Sequence, residues 1–580
     1  MKVQTTAKTL SQALELTARK GEEHGYRFVR NEKLDSDYVS YPEVERRSRD
    51  FAGALQGLGL VKGDRVALIL PDANQFAMAF MGAIRAGVVP VPLYPPSGMG
   101  ELAGYVTNAR HAVRKSGAKA ILCAERIKPL LGEVQAHCPE LEQVRTVDEA
   151  MAACQPWRPV EILPEDTAFL QFTSGSTSAP KGVQLSHANL MANCRSIIVE
   201  GLDGEYGVDA GFTWLPLFHD MGLIGFLLAP MVYGLDVTFM SPLMFLKRPS
   251  LWIRGVHQFK GTISFGPNFA YGLCIKRVKQ EEIEGVDLRH WRVAGCGSEP
   301  IRAEVLAGFA AHYAPYGFKK EALLPCFGMA ETTLAAAFNR GMKVDHIKAD
   351  DLWAKKQAVP VAPDQVRSGA QDVLHIVSCG KAFEHHEIGV FPPEDEHCNN
   401  PLPERHVGEI RLRGPSVMVG YFEEPERTAE TMADGWLRTG DLGYLVDGEL
   451  HICGRIKEVV IINGKNYYPQ DIEGAAAQVP GVQRGDVIAF GTGGPLGDKE
   501  SVIVAYETQL TDPRQIQALD RSIRGQVQEV TGVMLDEVIA LAPGGLPKTA
   551  SGKLQRTKAR ALFEQGQLKA TAGEGASDPS

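Results

Sequence analysis

The chain has 580 residues, 44% of them hydrophobic and 23% charged, ordinary globular values for a length of about three or four domain-sized units. A net charge of −9 gives no basic footprint and disfavours nucleic acid as a partner. The ten cysteines are scattered without a Cys-x-x-Cys pair, which argues against a structural metal and for reduced thiols in the cytoplasm. Met1 to Leu16 lacks the apolar core of an export signal. The longest uncharged runs, Ala86 to Gly100 and Met221 to Leu235, are broken by glycine and proline and are too short to cross a bilayer, so no membrane span is expected.

Up to about residue 165, helical patterns alternate with short apolar strands. Ser48 to Leu58 is helical, Arg65 to Leu70 strand-like, Phe76 to Ala86 helical and Val88 to Leu93 extended, with further strands at Lys119–Cys123 and Gln143–Val147. Such alternation predicts a mostly parallel sheet covered on both faces, an α/β fold. A strand at Thr167–Gln171 then feeds a loop of small residues, hydroxyls and one lysine, Phe172 to Gly182. Backbone N–H groups and hydroxyls in such a loop can close around a polyphosphate; an ordinary surface loop has the same composition. It lacks the Gly-Lys-Ser/Thr ending of the common P-loop.

Beyond it, Ala188 to Glu200 predicts a helix and Gly211 to Leu215 a strand leading to His219 and Asp220. That pair is catalytic or merely structural; ligands in such sheets favour the C-terminal ends of strands. Thr262 to Tyr271 repeats the strand-then-Gly-Pro design, its aromatics lining a pocket or filling core. Gly341 to about Asp372 reads as charged and irregular. Val373–Ser378, Gly408–Gly414, Gly435–Gly440 and Gly448–Ile452 are spaced as in a small β-barrel or sandwich. Glu458–Ile462, Asp486–Phe490 and Ser501–Tyr506 predict a separate small α/β domain. The tail from 566 to 580 is small and polar, fitting disorder.

Four more stretches carry chemistry: Phe327-Gly-Met-Ala-Glu331-Thr-Thr, Thr439-Gly-Asp441 at a strand end, Gly454-Arg455-Ile-Lys457, and Pro547-Lys-Thr-Ala-Ser-Gly-Lys553. With the loop at Thr173–Gly182, and in this order, they resemble the adenylate-forming superfamily of acyl-CoA synthetases, luciferases and peptide-synthetase adenylation domains, from about Leu10 to Phe563. The resemblance implies use of ATP and Mg²⁺. Thr173, Ser174, Gly175, Ser176, Thr177, Lys181 and Gly182 would close over the β- and γ-phosphates. Glu331 would associate with Mg²⁺, Asp441 accept both ribose hydroxyls, and Arg455 lie near the ribose. Lys553 would bridge the attacking carboxylate and the α-phosphate. Gly297, Ser298, Glu299 and Pro300, with Phe327, Gly328 and Met329, would cradle adenine. Many members have threonine where this chain has Ala330, so the hydroxyl contact to the α-phosphate is either absent or taken over by Thr332 or Thr333.

Within the superfamily the chain is most similar to the fatty acyl-AMP ligases, on Pro216–Gly225, Pro267–Tyr271, Asn463–Glu473 and an extra segment at about 341–377 that acyl-CoA synthetases generally lack. The resemblance implies a large domain over 1–454, a mobile lid over 455–565 hinged at Lys457, and a fatty acid bound by His219, Asp220, Met221, Met240, Phe265, Asn268 and Phe269, with Phe218 as a further apolar candidate. It also implies a separate acyl carrier protein whose phosphopantetheine thiol takes the acyl group. An acyl-CoA synthetase is the alternative. An amino-acid adenylation protein would want a buried acidic residue paired with the substrate ammonium, where Phe218, Met221, Met240, Phe265 and Phe269 are apolar instead. A non-catalytic binder has no need of Lys553 and Glu331.

Overall fold

The computed structural model describes residues 1–96, 102–173, 180–362, 366, 373–395, 397, 400–462, 465–482, 486–492, 501–548 and 553–568. Ser174, Gly175, Ser176 and Thr177, together with Asn463 and the tail from 569, lie outside them.

Two helix-covered sheets carry most of the chain. Four parallel strands run in the order Val89–Pro92, Arg65–Ile69, Ala120–Cys123, Gln143–Thr146. The second sheet has nine strands. Gly25–Val29, Asp236–Phe239, Ala210–Thr213, Ile263–Gly266, Val293–Cys296 and Leu323–Gly328 form its parallel centre, and antiparallel strands stand at both edges. The intervening helices start and stop where local chemistry dictates. Ser40 accepts from Glu43 N–H to open Tyr41–Gly57; Asp72 accepts from Gln75 N–H to open Ala73–Ala86, which ends on Gly87 at φ 68°. The helix expected at 188–200 runs His187–Arg195 and continues as a π-helical turn to Gly201.

The β-rich region after residue 380 is a five-stranded antiparallel sheet. Its long strand Trp436–Val446 passes straight through Thr439–Asp441, so Asp441 lies inside a strand rather than at its end. The segment 341–372 is more regular than its composition suggests. Val344–Lys348 pairs antiparallel with Val373–Val377, and Ala349–Lys355 is a helix. This segment packs on the C-terminal region. Ile347, Ala349, Leu352 and Trp353 share an apolar cluster with Tyr467, Tyr468, Ile472 and Ala476, and the Trp353 indole donates to Asp471 Oδ2 at 3.2 Å. In the C-terminal region Val487–Thr492, Ser501–Glu507 and Glu537–Leu541 form a three-stranded sheet. The last helix, Arg556–Glu564, is followed by a turn through which Leu568 packs on the same region. Among the described residues no helix is long and apolar enough to cross a membrane.

Candidate active site

One cavity of about 2560 Å³ runs between the nine-stranded sheet, the five-stranded sheet and the C-terminal region. From the predicted phosphate loop, Thr173 and Lys181 reach it. Gly182 stands just behind, opening the strand Gly182–Ser186, where a Cβ would press on the Phe172 ring at 3.2 Å. The strand Leu323–Gly328 delivers Phe327, Gly328 and Met329, and the turn after it Ala330 and Glu331. Ser298, Glu299 and Pro300 line the wall beside them. Gly297 does not; it lets the strand end approach Cys326, whose Sγ lies 2.6 Å from where a Cβ would be.

Glu331 is buried and accepts a hydrogen bond from the Tyr421 hydroxyl at 2.9 Å. Burial pushes its carboxyl above the ordinary range, with Tyr421, Lys181 and Arg455 acting against the shift. The Lys181 ammonium lies 4.6 Å over the Tyr421 ring and 3.4 Å from its hydroxyl. Burial lowers the pKa of Lys181, and Arg427 and Lys457 lower it further. Glu331 and Glu424 act the other way, and Arg427 is itself paired with Glu424 at 3.1 Å. Of these three cations, Lys181 and Lys457 border the cavity, where they favour an incoming polyanion.

Asp441 and Arg455 face each other across two paired strands, with Arg455 Nε 2.8 Å from Asp441 Oδ1. Burial raises the Asp441 carboxyl, and Arg455 opposes it. Its backbone is held from below. Thr439 Oγ1 accepts Asp441 N–H and donates to Ile410 O, while the buried Glu409 accepts Gly440 N–H at 3.3 Å and bonds Arg411 and Arg438. Gly440 sits at φ 71°, which a side chain would strain.

Lys553 enters the same cavity from the C-terminal region. Burial lowers its pKa, Asp220 and Glu299 resist, and Arg455 adds to the lowering. Its loop is closed at the base, where Gln555 N–H bonds Pro547 O and Lys548 bridges to Leu554. Arg556 then ties it to the C-terminal body through Glu473 and Glu458, each at 2.7 Å. Lys457, the predicted hinge, also borders the cavity.

Of the acyl candidates, Phe218, His219, Asp220, Met221, Phe265, Asn268 and Phe269 line the cavity. His219 Nδ1 stands 2.6 Å from Asp220 Oδ1; burial works to raise that carboxyl, and His219, Lys553 and Met221 N–H outweigh it and leave it below its ordinary value. Met240 does not reach the cavity. It packs in the core at 3% exposure, its N–H bonded to Thr213 O. Sequence reasoning missed Tyr421, Glu409 and Arg427, which no local motif marks.

Residues 18–422 match the AMP-binding enzyme family, and the chain belongs to that family. A chain of Caulobacter vibrioides described as a candidate acyl-CoA synthetase is 35% identical over 565 residues, covering 96% of each chain. The medium-chain-fatty-acid–[acyl-carrier-protein] ligase JamA of Moorena producens is 33% identical over 560 residues, covering 94% of this chain and 93% of its own. A solved structure from a study of the fatty acyl-adenylate ligases of E. coli and L. pneumophila superimposes with a TM-score of 0.90 at 35% identity, covering 97% of this chain and 98% of that one.

Proposed function

We propose that the protein activates a fatty acid with ATP and passes the acyl group to the phosphopantetheine thiol of a separate acyl carrier protein. The observation that carries this reading is the meeting, in one cavity, of Lys553 with the Asp220–Glu299 wall, the Asp441–Arg455 pair and the Lys181–Tyr421–Glu331 group. In the first half-reaction a fatty-acid carboxylate oxygen bonds the α-phosphorus, the bond to the β-phosphate oxygen breaks, and pyrophosphate leaves. Lys553 holds the incoming carboxylate against the α-phosphate as charge builds on the phosphoryl oxygens. Asp441 accepts the ribose hydroxyls, and the wall from Ser298 to Pro300 with Phe327–Met329 holds adenine. Thr173, Lys181 and the hydroxyl-rich loop, Ser174, Gly175, Ser176 and Thr177 included, bind the departing pyrophosphate. In the second half-reaction the thiol sulfur bonds the acyl carbon, the acyl–phosphate bond breaks, and AMP and the thiol proton are released.

Among the described residues no group of three His, Cys, Asp or Glu could hold a metal. A lone carboxylate, Glu331, fits magnesium that keeps phosphate oxygens and waters as its main ligands rather than an all-protein cage. Bound there, magnesium neutralises phosphate charge. The region from 455 acts as a lid hinged at Lys457 over a body of 1–454, and the packing of Trp353 on Tyr467 and Asp471 supports a segment that holds this lid in the adenylating arrangement. The similarity to the Caulobacter chain favours a second reading in which coenzyme A is the acceptor. Incubation with ATP, Mg²⁺, coenzyme A and a fatty-acid panel, with acyl-adenylate and acyl-CoA measured separately, tests both: acyl-adenylate without acyl-CoA supports the first reading, and efficient acyl-CoA formation the second.

The ribose role gives a sharper test. A carboxylate that accepts two hydroxyls does so in ground and transition states alike. Asp441→Ala is expected to raise KM for ATP roughly 10- to 100-fold, the scale of charge-assisted hydrogen bonds, with a smaller change in kcat. A fall in kcat at unchanged KM for ATP would remove Asp441 from the ribose.

A further inference from the structure

We propose that Tyr421 is a positioning residue that keeps the Lys181 ammonium and the Glu331 carboxylate from pairing with each other, leaving both available to a polyphosphate and its cation. The inference rests on the nucleotide-site reading above and assigns a residue that this reading does not use.

Tyr421 is brought to the site by backbone contacts on both sides of it. Gly420–Tyr421 pairs antiparallel with Gly182–Ser186, Tyr421 standing opposite Val183. Phe422 N–H bonds Gly182 O, and Met418 N–H bonds Glu331 O, each at 2.8 Å. The few residues around Tyr421 are therefore sewn at one end to the exit of the phosphate loop and at the other to the glutamate turn. Tyr421 N–H is itself accepted by Thr428 Oγ1 at 2.9 Å. The ring is 5% exposed, and its position is set by the fold rather than by a ligand.

A phenolic oxygen has one proton to give and lone pairs to receive. Here it gives the proton to Glu331 Oε1 at 2.9 Å and receives from Lys181 Nζ at 3.4 Å. Among the described residues no ion pair joins Lys181 to Glu331, although each lies within electrostatic reach of the other. Both groups are half-buried or buried, where opposite charges attract far more strongly than in water. Without the hydroxyl, Glu331 loses its side-chain donor and Lys181 an acceptor. Two desolvated opposite charges that have each lost a hydrogen-bond partner are repaired most readily by pairing with each other. That pairing would cancel the positive charge the loop offers to phosphate and occupy the carboxylate.

Metal-free titration of the full-length protein with inorganic pyrophosphate, read by calorimetry, separates this role from simple packing. Tyr421→Phe keeps the ring under Lys181 and removes only the hydroxyl. It is expected to weaken pyrophosphate binding about tenfold relative to wild type, the scale of one charge-assisted hydrogen bond. Tyr421→Phe/Glu331→Gln lacks the carboxylate that would capture Lys181, so it should bind pyrophosphate within about threefold of Glu331→Gln alone, a non-additive cycle. Additive losses, with Tyr421→Phe costing the same in both backgrounds, would overturn the inference. Should Tyr421→Phe alone fail to fold, the comparison of the double variant with Glu331→Gln still decides: tenfold weaker binding rejects the role. Wild-type adenylation separates this inference from the function it rests on. A wild-type protein that forms acyl-adenylate while Tyr421→Phe binds pyrophosphate as wild type does would sink the role of Tyr421 alone, whereas a wild type that neither binds pyrophosphate nor adenylates would sink both.

Discussion

Lys553→Ala is expected to slow acyl-adenylate formation on the order of 10²- to 10³-fold, the usual loss when one preorganised contact to a developing charge is removed. On the proposed reading the ammonium is a transition-state group rather than a binding anchor. Burial already works against its charge, and the acids that resist, Asp220 and Glu299, belong to the opposite wall. New negative charge between the walls is thus what the ammonium is placed to meet. The loop presenting it is braced by the Pro547–Gln555 bond and by Arg556 on Glu473 and Glu458, so truncating the side chain leaves its surroundings in place. ATP affinity, which the proposed reading assigns to the Asp441 strand and the phosphate loop, should change only a few-fold. Single-turnover pyrophosphate release, with nucleotide binding measured separately, gives the two quantities. Adenylation within a few-fold of wild type would make Lys553 a bystander.

What could be read from the sequence was what lies in one short stretch. Thr439–Asp441, Phe327–Glu331 and the lysine after Gly552 are each marked by a few consecutive residues and all reach the one cavity, and the alternation of helices and strands follows from hydrophobic periodicity. What could not be read depends on pairings distant in the chain. Tyr421 reaches Lys181 across 240 positions, and only the register of a two-residue strand brings it there. Glu409 supports Gly440 from a neighbouring strand, 31 positions away. Met240 follows a strand whose C-terminal end turns it into the core, which its apolar character alone does not distinguish from a cavity wall. The segment 341–372 looked irregular because its strand Val344–Lys348 gains a partner only at Val373–Val377.

That segment carries the second large effect. Trp353 is 4% exposed, its ring is 5.1 Å from that of Tyr467, and its indole bonds Asp471. Burial pushes the Asp471 carboxyl up to about 7, against the pull of Trp353 and Arg302. Removing the indole therefore takes away both apolar packing and one of the groups that make the buried acid tolerable. Truncating a buried tryptophan to alanine costs about 3–5 kcal/mol. Whatever part of that cost falls only on the arrangement in which 341–377 touches the C-terminal region shifts the population away from it. If the whole cost is differential, the shift is on the order of 10²- to nearly 10⁴-fold. Trp353→Ala is the cleaner probe than excision of 345–372. Ile347 and Leu352 are wholly buried, and Asp345 accepts from Tyr444 and Arg405, so excision would open a core as well as release a contact. With coenzyme A as the offered thiol, Trp353→Ala should raise acyl-CoA formation at least tenfold while pyrophosphate release in the first half-reaction stays within a few-fold of wild type. A carrier protein that brings its own surface contacts to the second arrangement should gain much less from the same substitution. A folded, adenylating Trp353→Ala protein that makes no more acyl-CoA than wild type would show that this contact does not choose the acceptor.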